Sequence, residues 1–242
     1  MQRTHFLAAA SAAVAASSIQ ARANAGSSSS VAGIGVPTTP LAQEAAALAL
    51  TAEPREIFNH SLRVFYFAEL LGNALKIDHD TEAVYVAALL HDMGLCPKFM
   101  SASQRFEVDG ANLARMVMER HGVTGRRADL VWDAISLHDQ SGIAQWKQPE
   151  VMLVSAGVGA DFGAHLGSLA RGDVLAVLQA APRDGFVPAL LSAVAEFAKR
   201  KPQATGNSWV TDVAYRMVPG FHLDNFVDAA RDDPFAAYRT GG

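Results

Sequence analysis

From Leu41 to Arg200 the chain keeps a helical period almost without a break, and this periodicity limits its fold more than any other feature. In residues 56–76, Ile57, Leu62, Phe65, Leu70 and Leu71 recur mostly at helical spacings, which predicts one broad apolar face. Segments 81–93, 108–121, 124–138, 150–166, 174–180 and 186–200 read the same way, while alternating runs bounded by turn residues are scarce. The expectation is an all-α fold: one helical domain over residues 41–242, less regular after Lys201. Gly94, Gly122 and Gly142 each follow a periodic segment where a left-handed cap would be needed, Pro149 and Pro202 punctuate the chain, and Pro188 fits the first turn of its helix.

Half of the 242 residues are apolar, enough to bury a sizeable core without staples. The lone Cys96 excludes an internal disulfide and a cysteine-based zinc cage. With 20 basic against 24 acidic residues and no basic block, nucleic acid is not an expected partner. The first residues read differently from the rest. Arg3, an alanine-rich apolar run over residues 6–19 and the small-x-small pattern Ala23-Asn24-Ala25 predict a secretory signal over residues 1–25, cleaved after Ala25, with a periplasmic product. The run is shorter than the roughly 20 residues that span a bilayer, so no stable membrane anchor is expected. The bland alternative is a short surface helix. Gln2 precedes Arg3, so the twin arginines of one export route are missing. Residues 26–40 are rich in Ser, Gly and Pro and predict a flexible leader.

Four residues stand out as polar among core formers. His60 lies in Phe58-Asn59-His60-Ser61-Leu62-Arg63-Val64, His91-Asp92 closes Val86-Ala87-Ala88-Leu89-Leu90, and Asp161 follows Gly157-Val158-Gly159-Ala160. A buried ionised carboxylate costs several kcal/mol unless it is compensated, so two aspartates in apolar helices call for a partner. One divalent metal would satisfy both, with two imidazoles and two carboxylates as ligands. Adjacent residues lie about 100° apart on a helix, so His91 and Asp92 reach one ion most easily beside the helix end that Gly94 predicts. Taken singly, a histidine in an apolar helix is more often a satisfied core residue. The ordered set of His, then His-Asp, then Asp in a third apolar helix is what gives the pattern its specificity.

These residues resemble the HD-domain superfamily of metal-dependent hydrolases and lyases, defined by H…HD…D on a helical bundle. The segments Asn59-His60-Ser61-Leu62-Arg63-Val64-Phe65, Ala88-Leu89-Leu90-His91-Asp92-Met93-Gly94-Leu95, Arg105-Phe106-Glu107-Val108-Asp109-Gly110-Ala111 and Ala134-Ile135-Ser136-Leu137-His138 are similar to its cyanamide hydratase-like branch. The likeness spans roughly residues 37–200, with its core over about 56–165. It implies metal ligands at His60, His91, Asp92 and Asp161, and no organic cofactor. It also implies a small-molecule substrate: a bound cation can bring the pKa of its water to about 7, and the hydroxide adds to a nitrile carbon such as that of cyanamide to give urea. Zinc suits this chemistry, and iron, manganese or nickel would accept the same ligands.

His138 is the candidate for proton handling, with an ordinary pKa near 6.5; as a helix-terminal histidine it could equally be satisfied by backbone carbonyls. Asp109 could orient substrate or His138, or cap its helix. Asn59 and Arg63 flank His60 as further site candidates, Arg63 able to bind a substrate oxygen or to pair with a carboxylate. The rival reading is a phosphohydrolase, which would gather cations from Arg63, Lys98, Arg105 and Arg126-Arg127 around a phosphate. A two-metal version would draw on His121 and His138, but Gly122 directs His121 toward the surface, so one metal is expected. A third reading is a non-catalytic binding module, whose mark would be missing ligands; the motif here is complete. The apolar face over residues 186–197 could serve a core or a homo-oligomer interface. Export would set this chain apart from the branch it resembles, and would admit other nitriles, isonitriles or small amides.

Overall fold

The computed structural model describes residues 30–206, 208–224 and 226–231. The expected signal lies outside the described residues, as does the start of the leader. The chain forms α1 (Pro40–Ala52), α2 (Arg55–Leu75), α3 (Thr81–Leu90), α4 (Phe106–Arg120), α5 (Arg126–Ser136), the short α6 (Ser141–Ala144), α7 (Pro149–Asp161), α8 (Arg171–Ala180), α9 (Phe186–Arg200), α10 (Trp209–Met217) and α11 (Phe226–Arg231). The one extended pairing among the described residues is the bridge Val31–Ile34, so the fold is all-α. No described helix is long and apolar enough to cross a membrane.

The order of burial follows from the sequence. α3 is apolar on every side from Ala83 to Leu90, and each of those residues is buried; a helix that is hydrophobic all round belongs in the middle of a protein. Asp80 starts it by accepting the Ala83 N–H at 3.0 Å. α2 packs against α3 on one side and α7 on another, burying Val64, Phe65, Phe67, Ala68 and Leu71. The approach of α2 and α7 depends on Gly157, where a Cβ would stand 2.4 Å from the Val64 carbonyl oxygen.

A second apolar cluster joins Phe106 at the start of α4 to Phe186, Leu190, Val194 and Phe197 of α9 and to Val210 and Val213 of α10. The apolar face of residues 186–197 is therefore core. The segment after Lys201 is more regular than its sequence predicted, because Ser208 caps α10 through the Val210 N–H and the buried Val210, Val213 and Ala214 hold it down.

Two further expectations are corrected. Residues 31–39 are not a loose leader: Ala32 and Gly33 turn the chain, Ile34 is buried in the main core, and Thr39 caps α1. The Ser/Gly/Pro composition hid the apolar Val31 and Ile34 that anchor this stretch. Of the three expected left-handed glycines only Gly122 has positive φ. Gly142 lies within α6, and Gly94 is required for closeness, since a Cβ there would fall 1.9 Å from the Phe106 carbonyl oxygen.

Candidate metal centre

His60 projects from the second turn of α2, His91 follows the last residue of α3, and Asp92 comes next as the chain turns out of the helix into a 3-10 turn at Met93–Leu95. Ending the helix at Leu90 lets these two neighbours reach the same point. One donor atom from each of the three lies within 4.8 Å of the others, and all three residues are buried. Asp92 Oδ2 stands 3.3 Å from His91 Nε2 and 3.9 Å from His60 Nε2.

The ring tautomers are fixed from behind. His91 Nδ1 is 2.8 Å from the Ala88 carbonyl, which can only accept, so Nδ1 carries the proton. His60 Nδ1 is 2.6 Å from Asp161 Oδ2. Both Nε2 atoms are then free to donate lone pairs into the same space, in the arrangement that metal-binding histidines take when a carboxylate or carbonyl holds the other nitrogen. Burial lowers the His60 pKa. Burial also opposes charge on His91, but the adjacent Asp92 carboxylate outweighs it and raises the pKa. Asp92 is held well below the usual carboxylate range by His91, against its own burial, with His60 and His138 adding to the effect. Two ring nitrogens and a carboxylate converging in a buried site form a donor set that fits a divalent cation.

Asp161 does not join them. The structure sets it on the far edge of the His60 ring, where Arg63 Nε and Nη2 reach its two oxygens at 2.6 and 2.8 Å. That bidentate pair and the His60 bond account for both of its oxygens, which is the physical reason the expected fourth ligand stands behind the ligand set. Arg63 is fully buried, and its Nη1 donates to the Ala181 and Pro182 carbonyls, with Pro182 also receiving Asn59 Nδ2. Arg63 and Asn59 thus tie α2 to the turn before α9, and Arg63, with all three of its nitrogens bonded, presents no free polar group of the kind expected of a substrate-binding residue. Asp109 is likewise spent elsewhere: its Oδ2 accepts from Lys201 Nζ at 2.6 Å and the Ser101 N–H at 2.9 Å in a buried ion pair.

His138 faces the centre. Its Nδ1 donates to the Ile135 carbonyl at 2.7 Å, leaving Nε2 4.0 Å from Asp92 Oδ1. Burial, with help from His91, lowers its pKa to about 4. His121 is out of reach, paired at the surface with Glu44.

Together His60, His91, Asp92 and His138 form the floor of a cavity of about 330 Å³. Its walls include Asp139, Phe162 and, from α9 and α10, Val187, Leu190, Leu191 and Trp209. Asp139, Phe162 and Trp209 were missed in the sequence. Asp139 could have been flagged by its place next to His138, whereas Trp209 lies after Lys201, where the sequence predicts less regular structure. The rival reading's cations do not line this cavity: Arg127 pairs with Asp80 and Glu82, Arg105 pairs with Glu107, and Lys98 is exposed beside Phe99.

Residues 57–162 match the model of the HD domain. The cyanamide hydratases DDI2 and DDI3 of Saccharomyces cerevisiae are each 30% identical to this chain over 186 residues, covering 75% of this chain and 81% of each relative. With His60, His91 and Asp92 converging from two segments of an all-α core, the match to the HD domain and the similarity to these relatives place the chain in the HD-domain family of metal-dependent enzymes, on its cyanamide hydratase-like branch.

Proposed function

We propose that the protein is a hydratase that adds water across the C≡N bond of a small nitrile of the cyanamide type, giving urea. In this reading His60, His91 and Asp92 hold one divalent cation, with zinc the first choice, and Asp161 and Arg63 fix the His60 ring from behind. When bound, such an ion makes water a stronger acid and polarises the nitrile. His138 supplies the proton traffic: its Nδ1 is committed to Ile135, so Nε2 accepts a proton from water and returns it to the nitrile nitrogen as the oxygen joins carbon. The low pKa of His138 keeps it a neutral acceptor at pH 7. The resulting isourea becomes urea by moving its second proton from oxygen to nitrogen. Leu190, Leu191 and Trp209 keep bulk water back.

The observation that carries this reading against a phosphohydrolase is the charge of the cavity. Beyond the ligand Asp92, its described lining presents Asp139 and neither Lys nor Arg, so a phosphate would find no cation besides the metal, whereas a neutral nitrile needs none. The two yeast relatives are named for cyanamide hydration, which supports the same choice. Metal analysis of the purified protein, with parallel assays of urea release from cyanamide and phosphate release from simple esters, tests it. One metal per chain with urea release is expected, whereas two metals with phosphate release alone would reverse the assignment.

We also propose export to the periplasm, on the strength of Arg3, the apolar run and Ala23-Asn24-Ala25. Sequencing of the N-terminus after expression in a Gram-negative host should find Gly26 in the periplasmic fraction. A cytoplasmic product starting at Met1 or Gln2 would overturn it.

A further inference from the structure

The cavity is far larger than cyanamide requires. A water molecule occupies about 30 Å³ in the liquid, so about 330 Å³ is room for a ligand several times the size of a three-heavy-atom nitrile. The surplus space has a definite character. Beyond the histidines and the two carboxylates Asp92 and Asp139, the described residues that bound it are Val158, Phe162, Val187, Leu190, Leu191 and Trp209, which offer dispersion to an apolar group and, among their side chains, no polar group but the indole N–H. A substrate as small and polar as cyanamide would leave this wall unused.

One polar atom of a cavity-lining residue also lacks a partner among the described residues. The Asp139 side chain is 5% exposed. Its Oδ1 accepts from Gln140 Nε2 at 3.0 Å, but its Oδ2 is buried with no hydrogen-bond donor. The nearest cation, Arg105 Nη2, stands 3.6 Å from Oδ2 and is bonded to Glu107. A buried carboxylate oxygen without a donor is costly and rare. Asp139 lines the cavity, so a turn of its carboxylate would present this oxygen to a donor held there.

Resting on the hydratase reading above, we propose that the substrate is an N-substituted cyanamide, R–NH–C≡N. Its cyano group lies over His60, His91 and Asp92, its N–H donates to Asp139 Oδ2, and its apolar R group fills the wall of Val158, Phe162, Val187, Leu190, Leu191 and Trp209. The reaction balances without an oxidant or reductant. Water's oxygen bonds to the cyano carbon as one π bond of C≡N opens, both water protons end on the former nitrile nitrogen, and R–NH–CO–NH2 is formed. Asp139 is then the specificity-determining group, since a site built to accept a hydrogen bond from a substrate N–H discriminates strongly against an analogue that lacks it.

The test uses the full metal-loaded protein with cyanamide, N-benzylcyanamide and N-benzyl-N-methylcyanamide, each rate divided by the same compound's rate with hydroxide in solution. N-benzylcyanamide should exceed cyanamide in kcat/KM by about tenfold or more, and should exceed its N-methylated analogue by about a hundredfold or more. Val187→Trp, at a partly exposed wall position, should shrink the first ratio, and Asp139→Ala should collapse the second. Calorimetry gives a readout free of turnover: N-benzylurea, the product, should bind the unmodified protein at least tenfold more tightly than urea, and Val187→Trp should remove that gain. Equal or faster hydration of cyanamide overturns this inference while leaving the hydratase reading in place. Persistence of the N-methyl penalty in Asp139→Ala overturns the role of Asp139. Failure to hydrate any of the three nitriles overturns the hydratase reading and this one with it.

Discussion

His60 and His91 bring their Nε2 atoms to 3.3 Å of each other, although the Nδ1 of each ring is already bonded, to Asp161 and to the Ala88 carbonyl. Two lone pairs that face one another across a dry gap need an electrophile between them, either a proton or a metal ion. Asp92 supplies the negative charge that makes the doubly charged ion the better occupant. Replacing Asp92 by Ala should therefore reduce bound metal from one equivalent to a small fraction, and chelators should lower the melting temperature of the parent but not of the variant. Elemental analysis and thermal melts check this; full metal content with unchanged melting in Asp92→Ala would refute the ligand set.

His138→Ala should keep both metal and fold and lower turnover by about 10²–10⁴, the usual share of general acid–base catalysis. The protonless Nε2 faces the centre without being one of the three convergent donors. If the same change instead removes an equivalent of metal, His138 is a ligand.

Arg63 should behave as a structural residue. Substituting Met leaves the Asp161 carboxylate buried without its bidentate partner, and breaking one side of a buried ion pair costs about 3–5 kcal/mol. Asn59→Ala removes a single hydrogen bond to Pro182 and should cost about 1 kcal/mol. Denaturant unfolding of the two variants would show the contrast. A fully stable Arg63→Met protein that has merely lost activity would return Arg63 to the substrate-binding role first considered for it.

Glu107 should make stability fall with pH. Burial pushes its carboxyl from 4.5 up to about 7, against the bond from Arg105 and with Asp139 reinforcing the rise. The folded protein therefore holds this proton more tightly than the unfolded chain does. The associated stability is fully present below about pH 4.5 and is lost as pH climbs through about 7, amounting to at most about 3 kcal/mol. Urea titrations between pH 4.5 and 8 should show this decline, and Glu107→Gln should flatten it. An unchanged slope in the variant would assign the titration elsewhere.

The all-α class was legible because helices such as α2, α5 and α9 carry an apolar face at helical spacing and alternating runs are scarce, and α9 was legible to the residue because the apolar Phe186 begins it and Arg200 closes it. His60, His91 and Asp92 were legible for the opposite reason, as ionisable groups where the period demands apolar ones. Asp161 stood out by the same contrast, yet its partner did not: Arg63 lies 98 residues away, and no local pattern says whether a carboxylate turns toward a metal or toward a guanidinium. Asp109 and Lys201 were hidden in the same way, their ion pair joining the first turn of α4 to the end of α9. Asp139 follows a helix with no periodic pattern to single it out. Only the cavity beside it shows that one of its oxygens is stranded.

The wall of the cavity comes largely from Val187, Leu190, Leu191 and Trp209, all beyond the stretch 57–162 that matches the HD domain. Inheritance can therefore act on the two parts separately. Mutations after residue 186 can reshape most of the apolar wall while His60, His91 and Asp92 stay untouched, so relatives that keep these three residues can differ in the shape of the cavity above them. For an engineer the same division makes α9 and the start of α10 the place to randomise, because a library there alters appetite and spares the catalytic engine.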